Sequence, residues 1–249
     1  MSLITKTGVV VLRTVEYSES SLIVTVLSRR HGRISLIAKG ARKPKSKFAG
    51  LLQPGRILGA VYYYKPTRSV QTLTEASLEH RLDTLSLDVE KMALVMSALE
   101  LISQLVHEGE GNEQIYRFTE RFLVWLEEQQ EVQRTLFPYI QVRLAQLMGF
   151  GIQIGEISPG AESGYLNIED GVVAGHAISQ QVLRLTRNQL EFLLQASDSR
   201  DASVLKKELV RNELRSLIDH LDKYFMYHFD GLRPRRSDAI FDQILKDQV

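Results

Sequence analysis

The chain of 249 residues has no cysteine. That absence excludes disulfides, thiol nucleophiles and every thiolate-held zinc site. Long hydrophobic runs are also missing, since none approaches the roughly 18 residues of a membrane span. The opening Met1-Ser2-Leu3-Ile4-Thr5-Lys6 lacks the charged start and apolar stretch of a signal peptide. A soluble, cytoplasmic protein with no membrane contact is the expectation. There is no Gly-x-x-x-x-Gly-Lys loop, Gly-x-Gly-x-x-Gly turn, Gly-x-Ser-x-Gly elbow or His-Glu-x-x-His pair. The six histidines are scattered and none sits at metal-ligand spacing from an acid. Nothing points to catalysis, and no cofactor is expected.

The most informative absence is local. Between Glu19 and Glu75 there is no acidic side chain, while Arg29, Arg30, Arg33, Lys39, Arg42, Lys43, Lys45, Lys47, Arg56, Lys65 and Arg68 all fall there. The overall net charge of +1 hides this: residues 1–80 carry thirteen Lys and Arg against four Glu, a net +9, and the remainder carries −8. Such a split between halves signals contact with nucleic acid or another anionic surface. The densest part, Lys39-Gly-Ala-Arg-Lys-Pro-Lys-Ser-Lys-Phe48, mixes cations with Gly, Pro and Ser. It reads as a mobile loop able to shape itself to a polyanion, because phosphate contact needs cations in number rather than in one geometry.

Strand formers cluster at Gly8–Val15, Leu22–Ser28, Arg33–Ala38, Ile57–Tyr64 and Val70–Leu78, separated by turn residues such as His31-Gly32. Five strands in about eighty residues fit an OB-fold barrel, in which Gly40–Gly55 is the long connection between the third and fourth strands. An open five-stranded sheet is the alternative. In the barrel, the cations gather on loops and strand ends around one rim. Tyr62 and Tyr64 face one way on the fourth strand and Tyr63 the other. Tyr62 and Tyr64 are candidates for stacking on unpaired bases, with Phe48 a weaker one.

Near residue 80 the pattern turns helical, so residues 1–80 read as a nucleic-acid-binding domain and 81–249 as a helical domain, making the fold class α+β. Leu87–Val106 is apolar on nearly every side and calls for burial. Ile115, Phe118, Phe122 and Leu126 form one stripe, and Leu136–Leu147 a third helix. Glycines crowd residues 149–178, where Glu169-Asp170-Gly171 signals a small hairpin. Helices are expected to resume at Ser179, with Thr186-x-x-Gln189 as a capping box. The last long helix would carry Lys207, Arg211 and Arg215 on one face, a surface suited to an acidic partner peptide, with Arg233, Arg235 and Arg236 following. A short helix at Asp238–Leu245 would end the chain.

Several motifs occur in one order: Gly8-Val-Val-Val-Leu-Arg-Thr-Val-Glu-Tyr-Ser-Glu-Ser-Ser-Leu-Ile23, Leu27-Ser-Arg-Arg-His-Gly-Arg33, Ala38-Lys-Gly-Ala-Arg-Lys-Pro44, Leu51-Leu-Gln-Pro-Gly55 and the tyrosine strand. This stretch resembles the RecO family of bacterial DNA repair proteins, densely over the first eighty residues and by layout beyond them. The resemblance implies an OB-fold joined to a helical domain, binding of single- and double-stranded DNA without strong sequence preference, and strand annealing. It implies RecR and the C-terminal tail of the single-stranded-DNA-binding protein as partners, and assistance to RecA in occupying DNA coated by that protein. Arg29, Arg33, Lys39, Arg42 and Lys43 would be DNA contacts. Many members hold a four-cysteine zinc module where this chain has its Gly-rich insert, so zinc is not expected here. Two other readings remain open: an OB-fold RNA-binding factor, and an adaptor using the barrel only for protein contacts.

Overall fold

The structure is a computed structural model describing residues 3–177, 179–198 and 202–235. Its first five strands are β1 (Leu3–Glu16), β2 (Leu22–Ser28), β3 (Gly32–Ala38), β4 (Ile57–Tyr64) and β5 (Val70–Leu78). They close into a barrel of order β1-β2-β3-β5-β4, with β3 and β5 parallel and the other neighbours antiparallel. β1 is long enough to pair with both β4 and β2, and an irregularity between Val11 and Arg13 turns it from one to the other. The β-branched residues that favour these strands also fill them. Val9, Val11, Val24, Val26, Ile34 and Leu36 meet Leu58, Ala60, Tyr62 and Leu73 inside. Each large aliphatic side chain buried this way contributes about 1.5–3 kcal/mol.

The register sorts the connections between two ends of the barrel. The β1–β2 turn and the long β3–β4 loop lie at one end; the β2–β3 turn and the β4–β5 loop lie at the other.

Helices α1 (Val89–Leu105) and α2 (Glu113–Glu128) belong to the same compact unit as the barrel, a unit that runs through Gln130. The outward-facing Val10 of β1 is 0% exposed, so this side of the barrel needs a cover. Gly8 leaves room for it, because a Cβ there would overlap the Tyr116 hydroxyl of α2. Asp88 caps α1 by accepting from the backbone N–H of Glu90 and Lys91, and Asn112 caps α2 by accepting from Ile115. Caps of this kind are worth about 1 kcal/mol each.

The second unit begins at Glu131. It contains α3 (Leu136–Leu147), strands β6 (Gln153–Ile154), β7 (Ser163–Asn167), β8 (Val172–Ala174) and β9 (Val182–Thr186), helix α4 (Arg187–Ser197), a 3-10 turn at Ala202–Lys206 and α5 (Arg211–His228). Pro138 sits in the first turn of α3 and so opens it. The Asp170-Gly171 hairpin joins β7 to β8 as expected, but it is part of a four-stranded sheet ordered β6-β8-β7-β9. Helix therefore resumes at Arg187, not Ser179. Val182-Leu-Arg-Leu-Thr186 pairs along β7 instead, as the outer strand of the sheet. The Thr186–Gln189 capping box is present. No helix among the described residues is long and apolar enough to cross a membrane. Arg236 and the expected helix at Asp238–Leu245 lie outside the described residues.

Candidate nucleic-acid interface

The β3–β4 loop is built from successive turns rather than left free, as its Gly, Pro and Ser content had suggested. Lys43 N–H donates to Gly40 O, Ser46 N–H to Lys43 O and Ala49 N–H to Ser46 O. Phe48 and Leu52 then enter the barrel core at 4% and 5% exposure. Thr14 Oγ1 donates to Leu52 O at 2.6 Å, and Gly55 N–H donates to Val11 O at 2.9 Å. Phe48 is therefore an anchor and has no face to offer a base. With its backbone fastened, the loop holds Lys39, Lys43, Lys45 and Lys47 exposed, and none of them enters a salt bridge among the described residues. Lys47 Nζ lies 5.3 Å from the Phe48 ring centre.

Arg42 does something else. Its backbone N–H donates to Ser20 O, Nη1 donates to Ser18 O at 2.9 Å, and Nη2 pairs with Glu16 Oε2 at 2.9 Å. It ties the β1–β2 turn to the cationic loop.

Arg29, Arg30 and Arg33 are at the opposite end, so the cations expected around one rim are divided between two. Their surroundings differ as well. Arg29 Nε and Nη2 both donate to Glu113 Oε1, at 3.0 and 2.7 Å, and Arg117 donates to the same oxygen at 3.0 and 2.8 Å. The hydrogen bond from Arg29, then that from Arg117, holds the Glu113 carboxyl below its usual range. Reciprocally, Glu113 raises the Arg29 pKa. Glu108 bridges to Gly32 and Arg33, and Gly109 N–H donates to Arg33 O at 3.1 Å. Gly32 at φ +61° is pressed so close to Glu110 O that a Cβ would overlap it. The acidic connector of residues 108–113 thus lies against the arginine turn. No acid lies within residues 20–74; Glu113, far along the chain, pairs with Arg29 of this turn. Arg30 stays exposed, and Arg33 is half-buried.

The tyrosine assignment is also corrected. Tyr62 is 0% exposed and belongs to the barrel core, which removes it as a stacking platform. Its hydroxyl contacts Ser28 Oγ at 3.0 Å and His31 Nδ1 at 2.7 Å, and burial raises its pKa to about 12. Tyr64 stacks on the His31 ring at 3.7 Å between centres, so one face is already used. Tyr63, on the outward face, is 44% exposed.

In the second unit, Lys207 precedes α5 instead of continuing it, and its Nζ donates to Glu191 on α4, which breaks up the expected stripe. Arg211 and Arg215 do lie one turn apart, exposed, on α5.

A closed OB-type barrel with a cationic, anchored β3–β4 loop, followed by a helical region with its own small sheet, is the class of protein defined here. Family models agree with that layout: "Recombination protein O N terminal" matches residues 1–81 and "Recombination protein O C terminal" matches residues 86–237. The chain is 30% identical to a DNA repair protein RecO of Salinibacter ruber, covering 97% of this chain and 94% of the relative. It is 31% identical to one of Chloroherpeton thalassium, covering 98% and 100%. A third, of Exiguobacterium sp., is 25% identical with 96% of each covered. The chain belongs to the recombination protein O family, and its role lies in DNA repair and recombination.

Proposed function

We propose that the chain is a non-enzymatic recombination mediator that binds single- and double-stranded DNA through its barrel and anneals complementary strands. The observation that carries this reading is the anchored loop with Lys39, Lys43, Lys45 and Lys47 exposed and outside any salt bridge among the described residues. Cations so displayed release condensed counterions from a phosphate backbone whatever its sequence. Because two strands carrying the same charge repel each other, a protein that neutralises both lowers the barrier to their pairing. The helical region serves protein partners: RecR, and the acidic tail of the single-stranded-DNA-binding protein, with Arg211 and Arg215 on α5 as candidate contacts. Acting with RecR, the chain helps RecA replace that protein on DNA.

Annealing of complementary oligonucleotides by the purified chain, with and without the single-stranded-DNA-binding protein, tests this directly. Acceleration in both conditions is expected. No acceleration in either would defeat the mediator reading.

A further inference from the structure

The outward face of the barrel carries an apolar row that the cationic loop does not explain. The register places Ile4 of β1 opposite Tyr63 of β4, Tyr63 opposite Thr72 of β5, Thr72 opposite Ile37 of β3 and Ile37 opposite Ile23 of β2. Tyr63, Thr72, Ile37 and Ile23 each neighbour a core residue along their strand, and Ile4 precedes the buried Thr5 on the parity opposite to the core residues Val9 and Val11, so all five point outward. At one end of the row, Ile4 is 68% and Tyr63 44% exposed, while the two other tyrosines of the strand are spent on the core and on His31.

Charge decides what this step suits. Lys6 lies two residues beyond Ile4 on the same outward parity, and Lys65 two residues beyond Tyr63; Arg68 follows in the β4–β5 loop. Two of these three cations, Lys6 and Arg68, are exposed, and none of the three enters a salt bridge among the described residues. The nearby carboxylate is Glu75, on the register row of Lys6. An apolar protein partner would need no excess of cations around its footprint. An unpaired nucleotide needs both parts at once, a flat apolar surface for the base and a cation a few ångströms away for the phosphate.

We propose that Tyr63, backed by Ile4, is a base-stacking step for single-stranded nucleic acid, with Lys6, Lys65 and Arg68 taking the flanking phosphates. This rests on the DNA-binding reading above and adds to it a second contact region, at the opposite end of the barrel from the Lys39–Lys47 loop. Duplex DNA keeps its bases stacked on one another, so the step discriminates single strands from duplex where the lysine loop does not. Neighbouring strands are about 4.8 Å apart, so Ile4, Tyr63 and Thr72 span roughly 10 Å, room for one or two splayed bases.

The test compares the wild-type chain with Tyr63→Ala, Tyr63→Phe and Ile4→Ser, measuring affinity for a mixed-sequence single-stranded oligonucleotide and for the matching duplex across a salt series. Tyr63→Ala should weaken single-strand binding roughly 5- to 150-fold, the range of one lost stacked base, and leave duplex binding within about twofold. The slope of affinity against salt should not change, because no cation has been removed. Tyr63→Phe should bind as wild type, and Ile4→Ser should show a smaller loss in the same direction. Tyr63→Ala binding single strands like wild type would overturn the proposal while leaving the loop-mediated reading intact. So would an equal loss on duplex, or a Tyr63→Phe loss as large as that of Tyr63→Ala; either would assign the patch to the fold or to a protein partner. Wild type failing to bind either DNA would remove both readings together.

Discussion

Tyr62 donates its hydroxyl hydrogen to His31 Nδ1, 2.7 Å away. Hydrogen counting fixes the direction: Ser28 Oγ accepts from the backbone N–H groups of Arg30 and His31, so its own hydrogen goes to Tyr62. The Tyr62 hydrogen is left for a bare Nδ1. Burial, then the charge of Arg30, lowers the His31 pKa below its usual value. The turn that carries Arg29 and Arg30 is thus held by a neutral imidazole.

A depressed histidine pKa means that the unfolded chain binds the proton more readily. Stability from this group is full above the ordinary value of about 6.5 and is lost as pH falls from there through the folded value. An NMR titration of the His31 ring should show a midpoint below 6.5, moved upward in Arg30→Gln yet still depressed because burial remains. A wild-type midpoint at or above 6.5 would contradict the hydrogen-bond direction.

Replacing Tyr62 by Phe deprives the Ser28 hydroxyl and His31 of their shared partner inside the barrel. The expected cost is about 1–3 kcal/mol in urea denaturation, the penalty for buried polar groups left unsatisfied. An unchanged midpoint would mean the chain Ser28–Tyr62–His31 is not formed in solution.

Two glycines separate strain from collision. Gly40 has φ +72° and open space, with Lys43 Cδ 3.7 Å from a hypothetical Cβ, so Gly40→Ala should cost only the left-handed backbone strain of about 1–2 kcal/mol. Gly32 shares the positive φ, but its Cβ would strike the Glu110 carbonyl. Gly32→Ala should therefore destabilise clearly more than Gly40→Ala in the same denaturation assay. Equal effects would show that the acidic connector does not rest on the turn.

Lys91 on α1 is 3% exposed, with Nζ donating to Glu127 O and Gln129 O at the end of α2 and to Thr84 Oγ1. Lys91→Met keeps the stem and leaves Glu127 O with the Thr84 hydroxyl, but it strands Gln129 O, and a loss of about 1–3 kcal/mol is expected. A thermal melt within about 2 °C of wild type would refute this role.

Much of the barrel was legible because its strands are runs of Val, Ile, Leu and Tyr broken by turn residues; Leu22–Ser28, Ile57–Tyr64 and Val70–Leu78 occur with those bounds. Strand β9 was not, since five residues alternating beside a capping box look like the lead into a helix. Alternation on β4 separated Tyr63 from Tyr62 and Tyr64, but parity alone does not say which side is inside; the closure of the barrel through β3 and β5 decides that. The partition of cations was hidden for a related reason. A sequence free of acids from 20 to 74 shows neither that Glu113 reaches Arg29 nor that Glu16 reaches Arg42, because both acids come from outside that stretch. The lysine loop survives as a cluster outside any salt bridge among the described residues, and because it lies within one connection it was visible as such.

On the proposed function, this loop neutralises phosphate. Fluorescence anisotropy of a labelled oligonucleotide over a salt series, with wild type and with Lys43→Ala, Lys45→Ala, Lys47→Ala combined, measures it most directly. Wild-type affinity should fall steeply with salt, and the triple variant should bind more weakly to every sequence, with a salt slope smaller by up to about 0.7–0.9 for each lysine in phosphate contact. Binding that ignores salt, or a triple variant with the wild-type slope and affinity, would contradict it.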